Sequence, residues 1–517
     1  MPKMFPRWLF LIFLITPTIV SLDVVVFLMV IGKSHFHFVS SLIESLNERG
    51  HNVDVIFARL NDGVIGNGSL KFRRSFEISF ETPGYYRKNT AHLEEIFIEE
   101  PKKIVDLQNY TRLAYELCEC GLKKGGVMEF LREGKYEIGL TNDYDSCGPL
   151  LLKHANVPSI VTFTPTPLFP NQRISAGLPT PASVFLSPLS PETDGGIWDR
   201  LFHLFKSAYY LHVVYSEDAN RMNDLGRRFF GEGFIPIERI NREISLIFVN
   251  SNEIVEKAVP ISSKIRYIGG IGKTNSKPLN KEFDEILSIS STGTVIFSFG
   301  TQVATAAIPF SIRQNFVRAF QEFPDVTFLW KYDVTEDDSK LFEGVKNVHL
   351  KSWLPQTDIL HDERVIGFVS HMGLNSFLET SAAGVPTLAI PLFVDQRHNA
   401  LNAAERGTSI IVKKHELTFE KIKIALEKLI RDPSYKRNAK RVASMIKTKP
   451  NSGKESFIEW FEFAAANPEL HQIFDLPGSN MSIFFYYCID IALVFFASLH
   501  SHTAHRIENL QDNQETF

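Results

Sequence analysis

The residues best equipped for chemistry lie in one short run, from Trp353 to Gln396. It begins Trp353-Leu354-Pro355-Gln356 and passes through the apolar Val365-Ile366-Gly367-Phe368-Val369 into Ser370-His371-Met372-Gly373-Leu374-Asn375-Ser376. Glu379 follows one helical turn later, and Asp395-Gln396 closes the run after Gly384-Val385-Pro386 and an apolar stretch ending at Pro391. The pattern predicts strand, Gly-containing turn, helix, strand and polar loop. Unpaired N–H groups and the positive end of the dipole make a helix N-terminus a good seat for a diphosphate. His371 adds a ring donor there, Gly373 lets the backbone approach closely, and Asn375 and Ser376 supply donors in the first turn. Glu379 shares the helix face of Asn375 and Ser376 and is placed for ribose hydroxyls. Trp353 offers a flat face to a base, and Asp395 and Gln396 offer acceptors and donors to a sugar.

Taken singly, a Trp or a His is more often a core residue, and a strand-turn-helix with one Gly is widespread. The ordered set is more specific. It resembles the signature of the UDP-glycosyltransferase superfamily, and within it the animal UDP-glucuronosyltransferase branch. The resemblance runs over nearly the whole chain, and Val295-Ile296-Phe297-Ser298-Phe299-Gly300-Thr301 is similar to the strand-loop opening that family's donor domain. It implies that Ser298, His371, Asn375 and Ser376 hold the diphosphate, Trp353 stacks on uracil, and Gln356 bonds the base or ribose. It also implies Glu379 on the ribose and Asp395 and Gln396 on the sugar. Met372 departs from the small residue usual in the family, with crowding of the phosphate turn as the expected consequence.

The family's general base falls on His35, within Ser34-His35-Phe36 after the first predicted strand. Ligands bind at the carboxyl ends of strands in open parallel sheets, and an imidazole suits proton abstraction from a hydroxyl near neutral pH. His37 competes with it as a structural histidine, and His51 reads as closing a helix-to-strand turn. The family's partner carboxylate falls on Asn142, a departure, with Asp143 next to it and Asp145 beyond. Asp143 is the expected substitute.

These residues need two α/β halves to position them. At 517 residues the chain is long for one domain. It opens with a buried strand from Asp23 to Ile31, a helix from about Phe38 to Glu48 and a strand from Val53 to Phe57, and repeats the pattern through Ile138-Gly139-Leu140 and Ser159-Ile160-Val161. The proline-rich stretch from Thr164 to Pro191 reads either as a surface excursion or as the wall of an acceptor pocket. The expected organisation is an α/β glycosyltransferase-B fold, two Rossmann-like domains facing across a cleft, plus a C-terminal membrane anchor. Its segments are a signal peptide 1–21, an acceptor-binding domain 22–270, a linker 271–280, a UDP-sugar domain 281–447, a helix 448–475 crossing back to the first domain, a transmembrane helix 483–499 and a cytoplasmic tail 500–517.

Both ends carry membrane signals. Lys3 and Arg7, the apolar run from Trp8 to Val20 and the small Ser21 form a secretory signal pattern. The run from Ile483 to Leu499 is short for a span of about 20 residues and contains Asp490, so a core or amphipathic helix competes with an anchor there. The resemblance favours the anchor and a single-pass type I protein with its body in the endoplasmic reticulum lumen, although the tail lacks the family's dilysine end. In that compartment Asn67 and Asn109 are glycosylation acceptors, and Asn480 lies too near the membrane. Four cysteines, Cys118, Cys120, Cys147 and Cys488, are too few for a disulfide scaffold; all but one pair at most read as structural thiols.

A net charge of -4 without a basic patch argues against nucleic acid. The 43 Phe fit a well-filled core, an apolar acceptor pocket or a membrane-facing surface. Gly32-Lys33-Ser34 and Gly272-Lys273-Thr274 mimic the end of a P-loop, but the required earlier Gly is Phe27 or Tyr267. Asp143-Tyr144-Asp145 mimics a metal-binding Asp-x-Asp in the wrong half, so no metal and no cofactor is expected. The reaction implied is inverting transfer of a glucuronosyl or glucosyl group from a UDP-sugar to a hydroxyl of a small lipophilic acceptor. The alternative is a lumenal membrane protein that binds UDP-sugar or lipophiles with little turnover. Self-association is left open.

Overall fold

Strand formation follows near-continuous apolar runs such as Val24-Val25-Val26-Phe27-Leu28, every one of them fully buried, as parallel strands covered on both faces require. The computed structural model describes residues 21–512 except 31–32, 60–69, 80–96, 98–102, 180–195, 211–214, 273–275, 302, 304, 335–337 and 339. Residues 1–20 of the expected signal peptide, and Asn67, lie outside the described residues.

Seven strands form the first sheet: β1 (Asp23–Val30), β2 (Asn52–Arg59), β3 (Arg74–Ser79), β4 (Ile138–Asn142), β5 (Ser159–Thr164), β6 (Ile247–Val249) and β7 (Ile265–Tyr267). Their order is β3-β2-β1-β4-β5-β6-β7, all parallel. The second sheet holds β8 (Thr294–Ser298), β9 (Thr327–Lys331), β10 (Val348–Lys351), β11 (Val365–Ser370), β12 (Thr387–Ala389) and β13 (Ser409–Ile411), in the order β10-β9-β8-β11-β12-β13, again parallel. In both sheets the order reverses beside the first strand, between β1 and β4 and between β8 and β11. Such switch points open a crevice at the carboxyl ends of the strands. The two sheets are therefore doubly wound halves of a glycosyltransferase-B-like α/β fold.

Apolar clusters cover both faces of each sheet. Met29, Ile56, Leu117 and Leu151 lie in the cluster on one side of the first sheet, and Leu28, Val39, Leu42 and Val55 in the cluster on the other. The helix Gly453–Ala466, opened by a capping box between Ser452 and Glu455, packs on this first sheet although it follows the second in sequence. Phe457 and Phe461 enter its core, and the Phe457 ring meets Phe248 edge-on at 4.9 Å. Arg266 stacks over Trp460 at 3.6 Å, and the buried Lys264 pairs with Asp475.

A disulfide joins Cys118, in the helix Lys103–Lys124, to Cys147, the first residue of the helix Cys147–His154. It clamps the loop leaving β4, while Cys120 and Cys488 are free. At the C-terminus the apolar run from Ile483 to Leu499 is split: Ile483–Tyr486 and Ile489–Asp512 are separate helices, and Cys488 between them sits at φ 51. Among the described residues no helix is long and apolar enough to cross a membrane. The longer helix nevertheless exposes Ile491, Val494, Phe495 and Phe496.

Candidate active site

The residues expected to hold the UDP-sugar gather at the carboxyl edge of the second sheet. β11 ends at Ser370, and the chain turns through His371 and Met372 into the helix Leu374–Ala383, with Gly373 as N-cap. Two glycines make room for the His371 ring: a Cβ on Gly300 would come within 2.7 Å of it, and one on Gly373 within 2.6 Å. Burial pushes the His371 imidazole down to about 4, against an opposing bond with the Ser298 backbone. The ring is therefore neutral at physiological pH, and its Nδ1 has no hydrogen-bond partner. Ser298, at the end of β8, accepts from the Gly300 N–H at 3.2 Å.

Met372 adopts φ 62, a left-handed conformation costly for a residue with a side chain. It is held there by its own N–H donating to Ser370 Oγ at 3.0 Å and by Asn399 Nδ2 donating to its carbonyl at 2.9 Å. The expected crowding of the phosphate turn does not occur. The Met372 side chain is fully buried in an apolar cluster with Val255, Leu374 and Phe377.

Gln356, Ser376 and Glu379 form one network. Gln356 Nε2 donates to Ser376 Oγ (3.2 Å) and to Glu379 Oε2, and Thr357 Oγ1 donates to Glu379 Oε1 at 3.2 Å. Trp353 stands beside them 68% exposed, with Lys331 Nζ 5.8 Å from its ring centroid. Its exposure leaves an aromatic face open for a base. Asp395 stands at the N-cap position of the helix Gln396–Glu405, makes no side-chain capping bond, and accepts from Asn399 Nδ2 at 2.8 Å. Asn399 thus ties Asp395 to the Met372 carbonyl. The Gln396 carbonyl is committed to the turn, accepting from Leu392 and Phe393 N–H.

Sequence reasoning missed the bridge between the halves. Asn250, which follows β6, donates to Asn375 Oδ1 at 3.4 Å. Glu256 bonds His398 at 3.0 Å, and its backbone and that of Ile254 accept from Arg406. No spacing in the sequence points to these pairs, which lie more than a hundred residues apart.

His35 lies in the first turn of the helix Lys33–Arg49, directly after β1. It shares a cavity of about 200 Å³ with Asp143, Tyr144, Asp145 and Asp218. The proline-rich stretch supplies a wall: Thr166, Phe169 and Gln172 line the same space. Burial pushes His35 down to about 4, and its Nδ1 has no partner. The structure brings Asp143 into the same cavity without a hydrogen bond to His35. Asp143 Oδ1 instead accepts from Gln172 Nε2 at 2.6 Å, and burial raises its carboxyl to about 8. Asn142 is fully buried; its Nδ2 donates to Asp145, and its Oδ1 is left without a partner. Asp145 is fixed further by the Cys147 N–H at 2.9 Å, and burial raises it to about 6. Among the described residues no three His, Cys, Asp or Glu side chains are grouped to hold a metal ion. Asn109 falls within the helix Lys103–Lys124.

Two doubly wound halves with a helix N-terminus at one switch point and a histidine at the other define a glycosyltransferase-B-like protein. Solved structures agree on the fold: the glycotransferase of kitacinnamycin (TM-score 0.57, 13% identity, 86% of this chain and 99% of that one) and the glycosyltransferase VinC in complex with DTDP (TM-score 0.56, 15%, 86% and 100%). The family model described as "UDP-glucoronosyl and UDP-glucosyl transferase" matches residues 24–492, and the chain belongs to that family of hexosyltransferases. Relatives include ugt-50 of Caenorhabditis elegans (29% identical, 90% of this chain and 91% of that one), UDP-glucosyltransferase 2 of Dactylopius coccus (26%, 89% and 87%) and UDP-glucuronosyltransferase 1A8 of Rattus norvegicus (26%, 83% and 80%).

Proposed function

We propose that the chain transfers a glucuronosyl or glucosyl group from a UDP-sugar to a hydroxyl of a small lipophilic acceptor, with inversion at the anomeric carbon. The observation that supports this best is the Asn250–Asn375 bond, which joins the edge of the His35 half to the first turn of the phosphate-side helix. His35 takes the acceptor's hydroxyl proton, and the freed oxygen bonds the anomeric carbon. The bond from that carbon to the diphosphate oxygen breaks on the opposite face, and UDP departs. Ser298, His371, Asn375 and Ser376 hold the diphosphate at the positive end of the helix dipole. Trp353 and Gln356 hold the base, Glu379 the ribose, and Asp395 and Gln396 the sugar.

The partner of His35 comes from the carboxylates beside Asn142. Asp143 faces the same cavity, but the hydrogen bonds favour Asp145, which fixes the Asn142 amide with Oδ1 free to receive the His35 ring N–H. β1 and β4 are neighbours with Phe27 opposite Thr141, so the chain ends carrying His35 and Asn142 leave the sheet side by side.

Product analysis by mass spectrometry, with a phenol library and either UDP-glucuronate or UDP-glucose, tests the reaction; no product from any pair would refute it. Replacing Trp353 by Ala is expected to weaken UDP binding by about tenfold or more, because base stacking is worth about 1–3 kcal/mol. Isothermal titration reads this directly, and unchanged affinity would take the base off Trp353.

For location, we place the body in the endoplasmic reticulum lumen, with Asn67 and Asn109 glycosylated and 483–499 as the membrane anchor. The disulfide supports an oxidising compartment, and the exposed apolar side chains after Ile489 support contact with lipid. Protease added outside sealed microsomes is expected to spare the body. Its digestion would reverse this topology.

A further inference from the structure

The cavity beside His35 is more acidic than transfer to a neutral hydroxyl requires. Asp143, Asp145 and Asp218 all line it, and no Lys or Arg does among the described residues. Asp145 lies within Coulombic range of both other carboxyls. One oxygen of each of those is already held: Asp143 Oδ1 by Gln172, and Asp218 Oδ2 by Ser146 Oγ at 3.0 Å. The other oxygen of each, Asp143 Oδ2 and Asp218 Oδ1, is buried without a hydrogen-bond partner. Thr162 Oγ1, on a fully buried side chain in the same wall, is likewise unpartnered. Arg221, the cation that acts on Asp218, is bonded to Glu217 at 3.1 Å and lies outside the lining.

Unsatisfied buried acceptors are costly, and several in one cavity call for a donor. A neutral alcohol supplies a single proton and no charge. An ammonium supplies several N–H groups and compensates the burial of carboxylate charge. Tyr110, Tyr144 and Tyr215 add aromatic faces to the wall, which suit a cation on an otherwise apolar molecule.

We propose that the acceptor is a small lipophilic amine that also carries a hydroxyl, its ammonium held by Asp143 and Asp218 and its hydroxyl presented to His35. The inference rests on reading this cavity as the acceptor site. Burial pushes Asp143 up to about 8 and Asp218 up to about 7, so each gains from a cation that stabilises its ionised form. The remaining side of the cavity, with Pro149, Phe169, Ala176 and Ile244, accommodates the apolar body.

The test is titration of the full-length, UDP-saturated protein with tyramine and with N-acetyltyramine, which keeps the phenol and loses the charge. Tyramine is expected to bind about tenfold tighter or better, as a buried charge pair implies, and Asp218→Asn should bring the ratio close to one. Equal or tighter binding of N-acetyltyramine by the unaltered protein overturns the proposal, whether or not the variant folds. Transfer from UDP-glucose and UDP-glucuronate is assayed beside it. Product from both phenols without amine preference discards the amine site and keeps glycosyl transfer. Amine preference without product from either supports the amine site and removes the transfer reading.

Discussion

Replacing His35 by Ala is expected to lower kcat by about 10²–10⁴, the contribution of a positioned general base, while UDP binds as before. The two effects separate because His35 follows β1 of the first sheet and the residues proposed to hold UDP line the second. The pH dependence gives an independent reading. A base works unprotonated, and burial lowers His35 from its ordinary value to about 4. Its own protonation therefore does not limit turnover from pH 8 down to about pH 5, and any acid limb above that belongs to a carboxyl. A His35→Ala enzyme within about threefold of the parent kcat would remove the base from this position.

The strand, turn and helix of the second half were legible in sequence because they are local. One strand, one turn and one helix carry His371, Asn375, Ser376 and Glu379, and the helix N-terminus turns spacing into geometry. The cavity beside His35 was not. Its wall takes Tyr110 from one helix, Asp143 and Asp145 from the loop after β4, Gln172 from the proline-rich stretch and Asp218 from the helix Glu217–Phe230. No period links them. Helix limits failed where polarity hides the period: the helix expected from about Phe38 starts at Lys33, so that Phe36, Val39 and Ile43 fall on one buried face. The consequence of Met372 was missed because its left-handed φ, which sequence does not display, sends the side chain into the core. The pairing of Cys118 with Cys147 depends on how two helices pack, which their spacing in sequence does not reveal.

Asp145→Asn is expected to lower kcat by about 10² with little change in KM for the UDP-sugar. Asp145 does not reach His35; it acts as a positioning residue through Asn142, whose Nδ2 it accepts. With Asn at 145 a single side-chain oxygen cannot accept from both the Cys147 N–H and the Asn142 amide, so the Asn142 side chain is no longer fixed as it is by Asp145. The negative charge opposing the imidazolium is lost as well. For comparison, the Asp-to-Asn change in a serine-protease triad, where contact is direct, costs about 10⁴. Burial raises Asp145 to about 6, and it must be ionised to support the imidazolium. The rate therefore falls as pH drops through about 6, and that limb should vanish in Asp145→Asn, which a merely structural role would not produce. Asn142→Asp should gain little. It would set two carboxyls at hydrogen-bonding distance, where they share one proton and carry the same single charge as Asn142 with Asp145. Asp143→Asn should chiefly raise the acceptor KM, since Gln172 fixes Asp143 in the cavity wall, where its other oxygen is open to the acceptor's ammonium. The opposite pattern, with Asp143→Asn collapsing kcat and Asp145→Asn silent, would return the role to Asp143, the partner expected from its place next to Asn142.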